Sequence, residues 1–220
     1  YKYSALVDSG RLLSDSGQKD AIESLNELYL ELTRASWKQN LRPLKRYFPM
    51  PFASKEKKTV KGLYLCGGVG RGKTMLMDMF YSCLPQGMGQ RYHFHRFMRR
   101  VHEELTSRRG TKDPIKDIAE QFAQETKVIC FDEFYVSDIA DAMILGELLK
   151  WLFQREVILV ATSNSEPKNL YPNGLQRVKF LPAIDLLYEH TNLLLVVSDQ
   201  DFRLRALNDA NVYYYPICED

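Results

Sequence analysis

No apolar run in this 220-residue sequence approaches the ~20 residues that a transmembrane helix needs, so no helix within it is expected to span a membrane. Cysteine is sparse. The four cysteines, Cys66, Cys83, Cys130 and Cys218, form no C-x-x-C pair, which removes the usual spacing of a zinc ribbon or a thioredoxin-like redox motif. Cys66 and Cys130 fall inside apolar stretches and read as reduced, buried residues of a cytosolic protein. Charge of one sign is also missing. Thirty Lys and Arg against 28 Asp and Glu leave a formal net charge of +2, which announces neither a nucleic acid nor an anionic membrane. There is no internal repeat and no low-complexity segment. A hydrophobic content of 45% and a charged content of 26% are those of a globular chain able to bury a core. Tyr1 rather than Met opens the sequence, which leaves any targeting segment outside this reading.

What is present is a phosphate loop. Gly67-Gly68-Val69-Gly70-Arg71-Gly72-Lys73-Thr74 fits G-x-x-x-x-G-K-[ST]. Glycines let the backbone turn tightly and approach an anion, so that exposed N–H groups point at phosphate oxygens. A helix opening at Gly72 adds the positive end of its dipole. Lys73 offers a point charge to the β and γ phosphates of ATP, and the Thr74 hydroxyl suits Mg²⁺. The setting is right as well: the apolar run Gly62–Cys66 precedes the loop and the helix-forming run after Thr74 follows it, giving strand, loop and helix.

The rest of the chain alternates in the same manner. An amphipathic helix is predicted over Gln18–Ala35, followed by a proline-bearing linker that contains Lys55-Glu56-Lys57-Lys58, read as a solvated loop. Strands are predicted at Gly62–Cys66, Arg91–His95, Val128–Phe131, Val157–Thr162 and Leu193–Val197. Helices are predicted near Lys73–Cys83, Arg96–Ser107, Ile115–Thr126, Asp138–Phe153 and Pro182–Glu189. Such alternation implies an α/β fold with a parallel sheet covered on both faces. The domain reading is an N-terminal helix and linker over 1–61, an α/β core over 62–210 and a short remainder over 211–220.

The strand Val128–Phe131 runs into Asp132-Glu133. Side chains alternate along a strand, so two acids at its tip face different ways and can divide labour. Asp132 is expected to hold Mg²⁺ and Glu133 to act as general base on the attacking water. Asn164, in Ala161-Thr162-Ser163-Asn164, reads alone as a turn former; beside the other two motifs it reads as a polar group that orients water against the γ phosphate. Arg177 reads alone as a surface arginine, with an arginine finger acting on a neighbouring subunit as the sharper alternative. His93 and His95 are expected to share one face of the second strand as core or rim histidines, since the further ligands of a metal site do not appear at useful spacing. Arg96, Arg99 and Arg100 read as a solvated helix start rather than a binding patch.

These residues, together with His93-Phe94-His95-Arg96-Phe97-Met98, Val101-His102-Glu103-Glu104-Leu105, Cys130-Phe131-Asp132-Glu133-Phe134, Asp138-Ile139-Ala140-Asp141-Ala142-Met143, Gly174-Leu175-Gln176-Arg177, Phe180-Leu181-Pro182-Ala183-Ile184 and Arg203-Leu204-Arg205, give the chain a resemblance, over nearly its whole length, to the AFG-type family of AAA+ ATPases. The resemblance implies a five-stranded sheet of order 5-1-4-3-2, Walker A at Gly67–Thr74, Walker B at Asp132 and Glu133, sensor 1 at Asn164 and an arginine finger at Arg177. It implies ATP and Mg²⁺, and a homo-oligomer with shared active sites. For the bacterial branch it implies action on polymers of the tubulin-like protein FtsZ at the division ring, lowering their stability when ATP is present. The expected location is then the cytoplasm, with recruitment to the division site and peripheral association with inner-membrane division proteins; no stable nucleic-acid partner is expected. The alternatives are a helicase-loader type of nucleic-acid ATPase and a mitochondrial-type quality-control ATPase. A P-loop small-molecule kinase has no use for Glu133, and a nucleotide-gated scaffold should tolerate Glu133→Gln. The resemblance further implies that 62–210 is an AAA+ ATPase core and 211–220 the start of a truncated C-terminal region, with a lid and a second sensor beyond Tyr213–Asp220, so this chain is expected to bind ATP yet hydrolyse it poorly, with Arg203 and Arg205 given no role.

Overall fold

A computed structural model of the chain describes residues 16–40 and 60–196; the lysine-rich run at 55–58, Val197, Arg203, Arg205, Cys218 and the stretch 213–220 lie outside the described residues. The elements are α1 (Ser16–Asn40), β1 (Gly62–Cys66), α2 (Lys73–Cys83), β2 (Gly89–His93), α3 (Phe94–Ser107), α4 (Pro114–Glu125), β3 (Val128–Asp132), α5 (Ile139–Gln154), β4 (Ile158–Ser163), α6 (Leu181–His190) and β5 (Thr191–Leu195), with short 3-10 turns at Pro167–Asn169 and Arg177–Lys179. The strands form one parallel sheet of order β2-β3-β4-β1-β5, which is the expected order read from its other edge.

Strand periodicity divides the core in two. Along β1, Tyr64 and Cys66 belong to one apolar cluster and Leu63 and Leu65 to the other; along β3, Ile129 and Phe131 go one way, Val128 and Cys130 the other. Alternation of side chains across a strand produces this split. The first cluster packs against α3 to α6 and is rich in aromatic rings, with Phe97 4.5 Å from Phe131 and 4.8 Å from Phe122 between centroids. The second holds Ala21, Leu25, Leu28 and Leu32 of α1 with Leu76, Met77 and Phe80 of α2. The interior strands β1 and β3 are buried along all five residues, which is why their sequences are near-continuous apolar runs rather than alternating ones. Cys66 and Cys130 are buried in β1 and β3, as expected. Burial pushes the Cys130 thiol up to about 12.

The local signals at helix ends are ordinary. Asp138 caps α5, its Oδ1 accepting from the Ala140 and Asp141 amides at 2.7 and 3.2 Å. Pro114 opens α4, where its missing N–H costs nothing.

Two strands sit two residues earlier than expected. β2 ends at His93 because Phe94, Phe97, Met98 and Val101 are all buried at helical spacing, so the helical face already begins at Phe94. His93 therefore ends the strand and His95 lies in α3; the two do not share a strand face. β5 starts at Thr191 directly after α6, where Thr191 Oγ1 donates to the Leu187 carbonyl at 2.6 Å and Thr191 pairs with Gly62 of β1.

The three arginines of α3 fare differently. Arg96 is exposed and Arg99 pairs with Glu103 one turn on. Arg100 is half-buried: Nη2 and Nη1 donate to Glu125 Oε1 and Oε2 at 2.7 and 3.1 Å, and the guanidinium lies 4.5 Å from the centre of the Phe122 ring. Hydrogen bonds from Arg100, then from Gln121 and Gln90, hold the Glu125 carboxyl below its ordinary range. A carboxyl with a lowered folded-state pKa contributes stability above its unfolded value, about 4.3, and loses it as pH falls through the folded value. Urea midpoints taken near pH 6 and near pH 3 should therefore drop less for Glu125→Gln than for the parent. Parallel drops would show that the pair adds no pH-linked stability.

Candidate nucleotide site

The glycine loop leaves β1 at its carboxyl end and enters α2. A Cβ at Gly67 would sit 2.4 Å from the Val196 carbonyl oxygen, too close for any side chain. Gly72 holds φ 82 and ψ 9 as the cap of α2, a left-handed conformation open to glycine at little cost. Gly68 and Val69 are exposed, whereas Lys73 is buried to 7%.

That lysine is held from three sides. Its Nζ donates to the Gly67 carbonyl at 2.8 Å, the Gly68 carbonyl at 2.7 Å and Asn164 Oδ1 at 3.1 Å. Asn164 stands immediately after β4, and β4 lies beside β1 in the sheet. Parallel pairing thus brings residue 164 to the loop.

Asp132 is reached through the same alternation. As the residue after Val128 and Cys130 on their face of β3, it points toward α2 and meets Thr74: Thr74 Oγ1 donates to Asp132 Oδ1 at 2.9 Å. Thr162 Oγ1 donates to the same oxygen at 2.8 Å, and Arg91 Nη2 donates to Oδ2 at 3.0 Å. His93 Nδ1 lies 3.7 Å from Oδ2. Arg91 also bonds Asp78 through Nε at 2.5 Å. One buried carboxyl group thus gathers three donors from three elements, as a buried polar group must.

Glu133 leaves the strand. Its φ of 55 is left-handed, which costs a non-glycine residue about 1–3 kcal/mol and persists only where neighbours impose it. The imposition is visible: the Glu133 amide donates to Thr162 Oγ1 at 3.2 Å, the Phe134 amide to the Thr162 carbonyl at 2.7 Å, and Phe134 is fully buried. The bend leaves the Glu133 side chain exposed while Asp132 is buried. The two acids are separated by a bend at the strand end rather than by strand alternation.

Arg177 is placed apart from these groups. It opens the 3-10 turn Arg177–Lys179, and its Nη2 donates to the Lys168 carbonyl at 2.7 Å. No hydrogen bond or ion pair joins it to Lys73, Asp132, Glu133 or Asn164 among the described residues. The site also contains groups that motif reading missed. Thr162 and Arg91 carry no motif; Thr162 was findable only as the residue two before Asn164 on the same strand, and Arg91 only through the register that sets His93 beside Asp132.

The donors suit a magnesium triphosphate. Thr74 Oγ1 and Asp132 Oδ1 are two hard oxygens facing each other at 2.9 Å. Mg²⁺ takes one or two such protein ligands and fills its octahedron with waters and phosphate oxygens. The described residues hold no cluster of three or more His, Cys, Asp or Glu that would make a dedicated metal cage, and this ion does not require one.

Comparison with known proteins agrees with that chemistry. The chain is 46% identical over 234 aligned residues to the cell division protein ZapE of Escherichia coli strain K12, an alignment covering 100% of this chain and 60% of that protein. It is 47% identical over 166 residues to lactation elevated protein 1 homolog B of Danio rerio, covering 70% of this chain and 33% of that protein. The chain therefore spans less than two thirds of the length of these curated relatives. Among solved structures, DnaI superposes with a TM-score of 0.56 at 16% identity, covering 87% of each chain. Domain III of the Thermotoga maritima replication initiation protein DnaA gives 0.56 at 13% identity, covering 94% of this chain and 75% of that one. At such identities the likeness is one of fold alone. The description of the AFG1-like ATPase family matches residues 1–220, and the chain belongs to that family.

Proposed function

We propose that this chain binds ATP with Mg²⁺ at the loop Gly67–Thr74 and that the whole protein hydrolyses it. We further propose that the whole protein spends that cycle on FtsZ polymers at the division ring, reducing their stability. The observation that carries the first part is the convergence of Lys73, Asn164, Thr74 and Asp132 through contacts of 2.9 to 3.1 Å between residues far apart in sequence. The second part draws on the likeness to a cell division protein.

In this reading residues 62–210 are the ATPase core, and residues 1–61 contribute α1, which packs on α2. The loop amides and the amino end of α2 receive the phosphates. Lys73 exchanges a carbonyl partner for phosphate oxygen and keeps Asn164 close to the reacting end. Thr74 and Asp132 hold the metal ion, which when bound neutralises charge on the phosphates. Thr162 and Arg91 hold Asp132 in register. Glu133, exposed and turned away from the sheet, takes the proton from the attacking water. Arg177 serves the site of a neighbouring subunit in a homo-oligomer, and the protein acts in the cytoplasm, recruited to the division site beside inner-membrane division proteins. The kinase alternative leaves Glu133 without work, and the near-neutral charge gives no reason to invoke nucleic acid.

Two measurements test the reading. ATP turnover by the whole protein should be detectable, and polymers of FtsZ should lose stability only when ATP is supplied; polymers indifferent to protein plus ATP would remove the division-ring assignment. Lys73→Ala should lower ATP affinity at least a hundredfold, because a charge-assisted bond to phosphate is lost and the loop carbonyls lose their buried donor. Calorimetry that finds near-parental affinity in this variant refutes the phosphate site.

A further inference from the structure

Gln18 is a buried polar side chain that the mechanism above does not use. It stands near the start of α1 and is 0% exposed. Its Nε2 donates to the Arg71 carbonyl of the loop at 3.3 Å, and a Cβ at Gly72 would come within 2.8 Å of the same nitrogen. Its Oε1 is buried with no hydrogen-bond partner among the described residues. Buried acceptors are costly to leave unpaired, and this one lies against the nucleotide loop, since it shares a carbon with the nitrogen that touches Arg71.

The chemistry of the missing partner is constrained. The Arg71 carbonyl is an acceptor, so turning the amide over would lose a hydrogen bond and set two acceptors face to face. The Oε1 atom is thereby fixed as an acceptor. Phosphate oxygens are acceptors too and do not satisfy it. The fitting partner is a donor, and a nucleotide held in the adjoining loop can carry one on its base. An amide offers an acceptor beside a two-hydrogen donor. With one hydrogen on Arg71, the other remains for a ring nitrogen. That pair matches the edge of adenine, which carries a 6-amino donor next to the N7 acceptor; a 6-oxo purine presents an acceptor where Oε1 needs a donor.

We propose that Gln18 is a specificity-determining residue of the nucleotide site: Oε1 accepts from the 6-amino group of adenine, and the Arg71 carbonyl locks the amide in the orientation that rejects a 6-oxo base. The inference rests on the proposed ATP site and deepens it. It also accounts for α1, because that helix carries the base-reading group to the loop, fastened by Ala21, Leu25, Leu28 and Leu32 in the cluster shared with α2.

The test compares ATP with inosine triphosphate, which replaces the 6-amino group by a 6-oxo group and places a hydrogen on N1 while leaving N7 unchanged, by calorimetry on the full chain with Mg²⁺. The parent should favour ATP by about tenfold or more, the effect of one made against one mismatched buried hydrogen bond. Gln18→Leu, close in volume, should bring ATP down to the inosine level and leave inosine triphosphate unchanged. Equal affinities in the parent overturn the proposal while leaving the ATP site standing. A parallel loss of both nucleotides in Gln18→Leu also overturns it, because it marks a ribose contact or support of the loop. Failure of the parent to bind either triphosphate removes the site and the inference together. Should Gln18→Leu not fold, Gln18→Met decides: preference lost supports the proposal, preference kept overturns it.

Discussion

Glu133→Gln is expected to keep ATP bound and to lower turnover by about 10²–10⁴-fold, the usual contribution of a positioned general base. The substitution is a clean one here. Glutamine has the size and shape of glutamate, the side chain is exposed, and the left-handed backbone at φ 55 is imposed by the bonds of the Glu133 and Phe134 amides to Thr162 rather than by the carboxylate. Melting temperature should therefore stay close to the parent's, as for surface substitutions generally. Asp132→Asn would be far harder to interpret. It changes a buried group that accepts from Thr74, Thr162 and Arg91 at 2.8 to 3.0 Å, so lost activity could come from a disturbed sheet end as well as from a lost metal ligand. Phosphate release together with nucleotide affinity reads the result for Glu133→Gln. Unreduced release would place the base elsewhere; release abolished along with ATP binding would mean that the residue shapes the site instead of activating water.

How much of this was legible beforehand follows from where each contact is encoded. The bounds of β1 and α2 were read without error because the loop demands a strand before and a helix after, and β1 is buried on both faces. The edge strand β2 was misplaced because Arg91, Tyr92 and His93 give no apolar run, while the buried Phe94 that looked like strand belongs to the face of α3. Lys73, Thr74, Asp132 and Asn164 were legible as motifs because the chemistry of a triphosphate dictates residue types at short spacing. Thr162, Arg91 and Gln18 were not. Their partners are 30, 41 and 53 residues away, and only strand register or helix packing makes them neighbours. Asp132 and Glu133 were expected to face different ways through strand alternation; the structure instead separates them by a bend at Glu133, whose amide donates to Thr162 Oγ1. Thr162 accordingly does more than its sequence suggests, since one hydroxyl donates to Asp132 and accepts from the Glu133 amide, tying the two acids together through β4.

Arg177→Ala should produce the largest kinetic change, a fall in turnover of about 10³–10⁵-fold, the range measured for arginine fingers, with ATP affinity near the parent's. The expectation that it acts across a subunit boundary follows from its place. Among the described residues of its own chain the guanidinium reaches the Lys168 carbonyl, its Nε is buried without a partner, and it bonds to none of Lys73, Asp132, Glu133 or Asn164. On either side stand Leu175, 70% exposed, and Val178, 78% exposed, large apolar groups that a second copy of the chain would cover. Mixing separates action across an interface from a structural role. A subunit carrying Arg177→Ala has an intact base but gives its neighbour no finger; one carrying Glu133→Gln gives the finger but has no base. Each variant alone should be nearly inactive. Together they should recover activity, because sites exist in which Glu133 of one chain faces Arg177 of another. Two inactive variants that stay inactive on mixing, while still co-assembling by light scattering, would confine Arg177 to its own chain; an Arg177→Ala protein that turns over at the parent rate would remove it from the reaction.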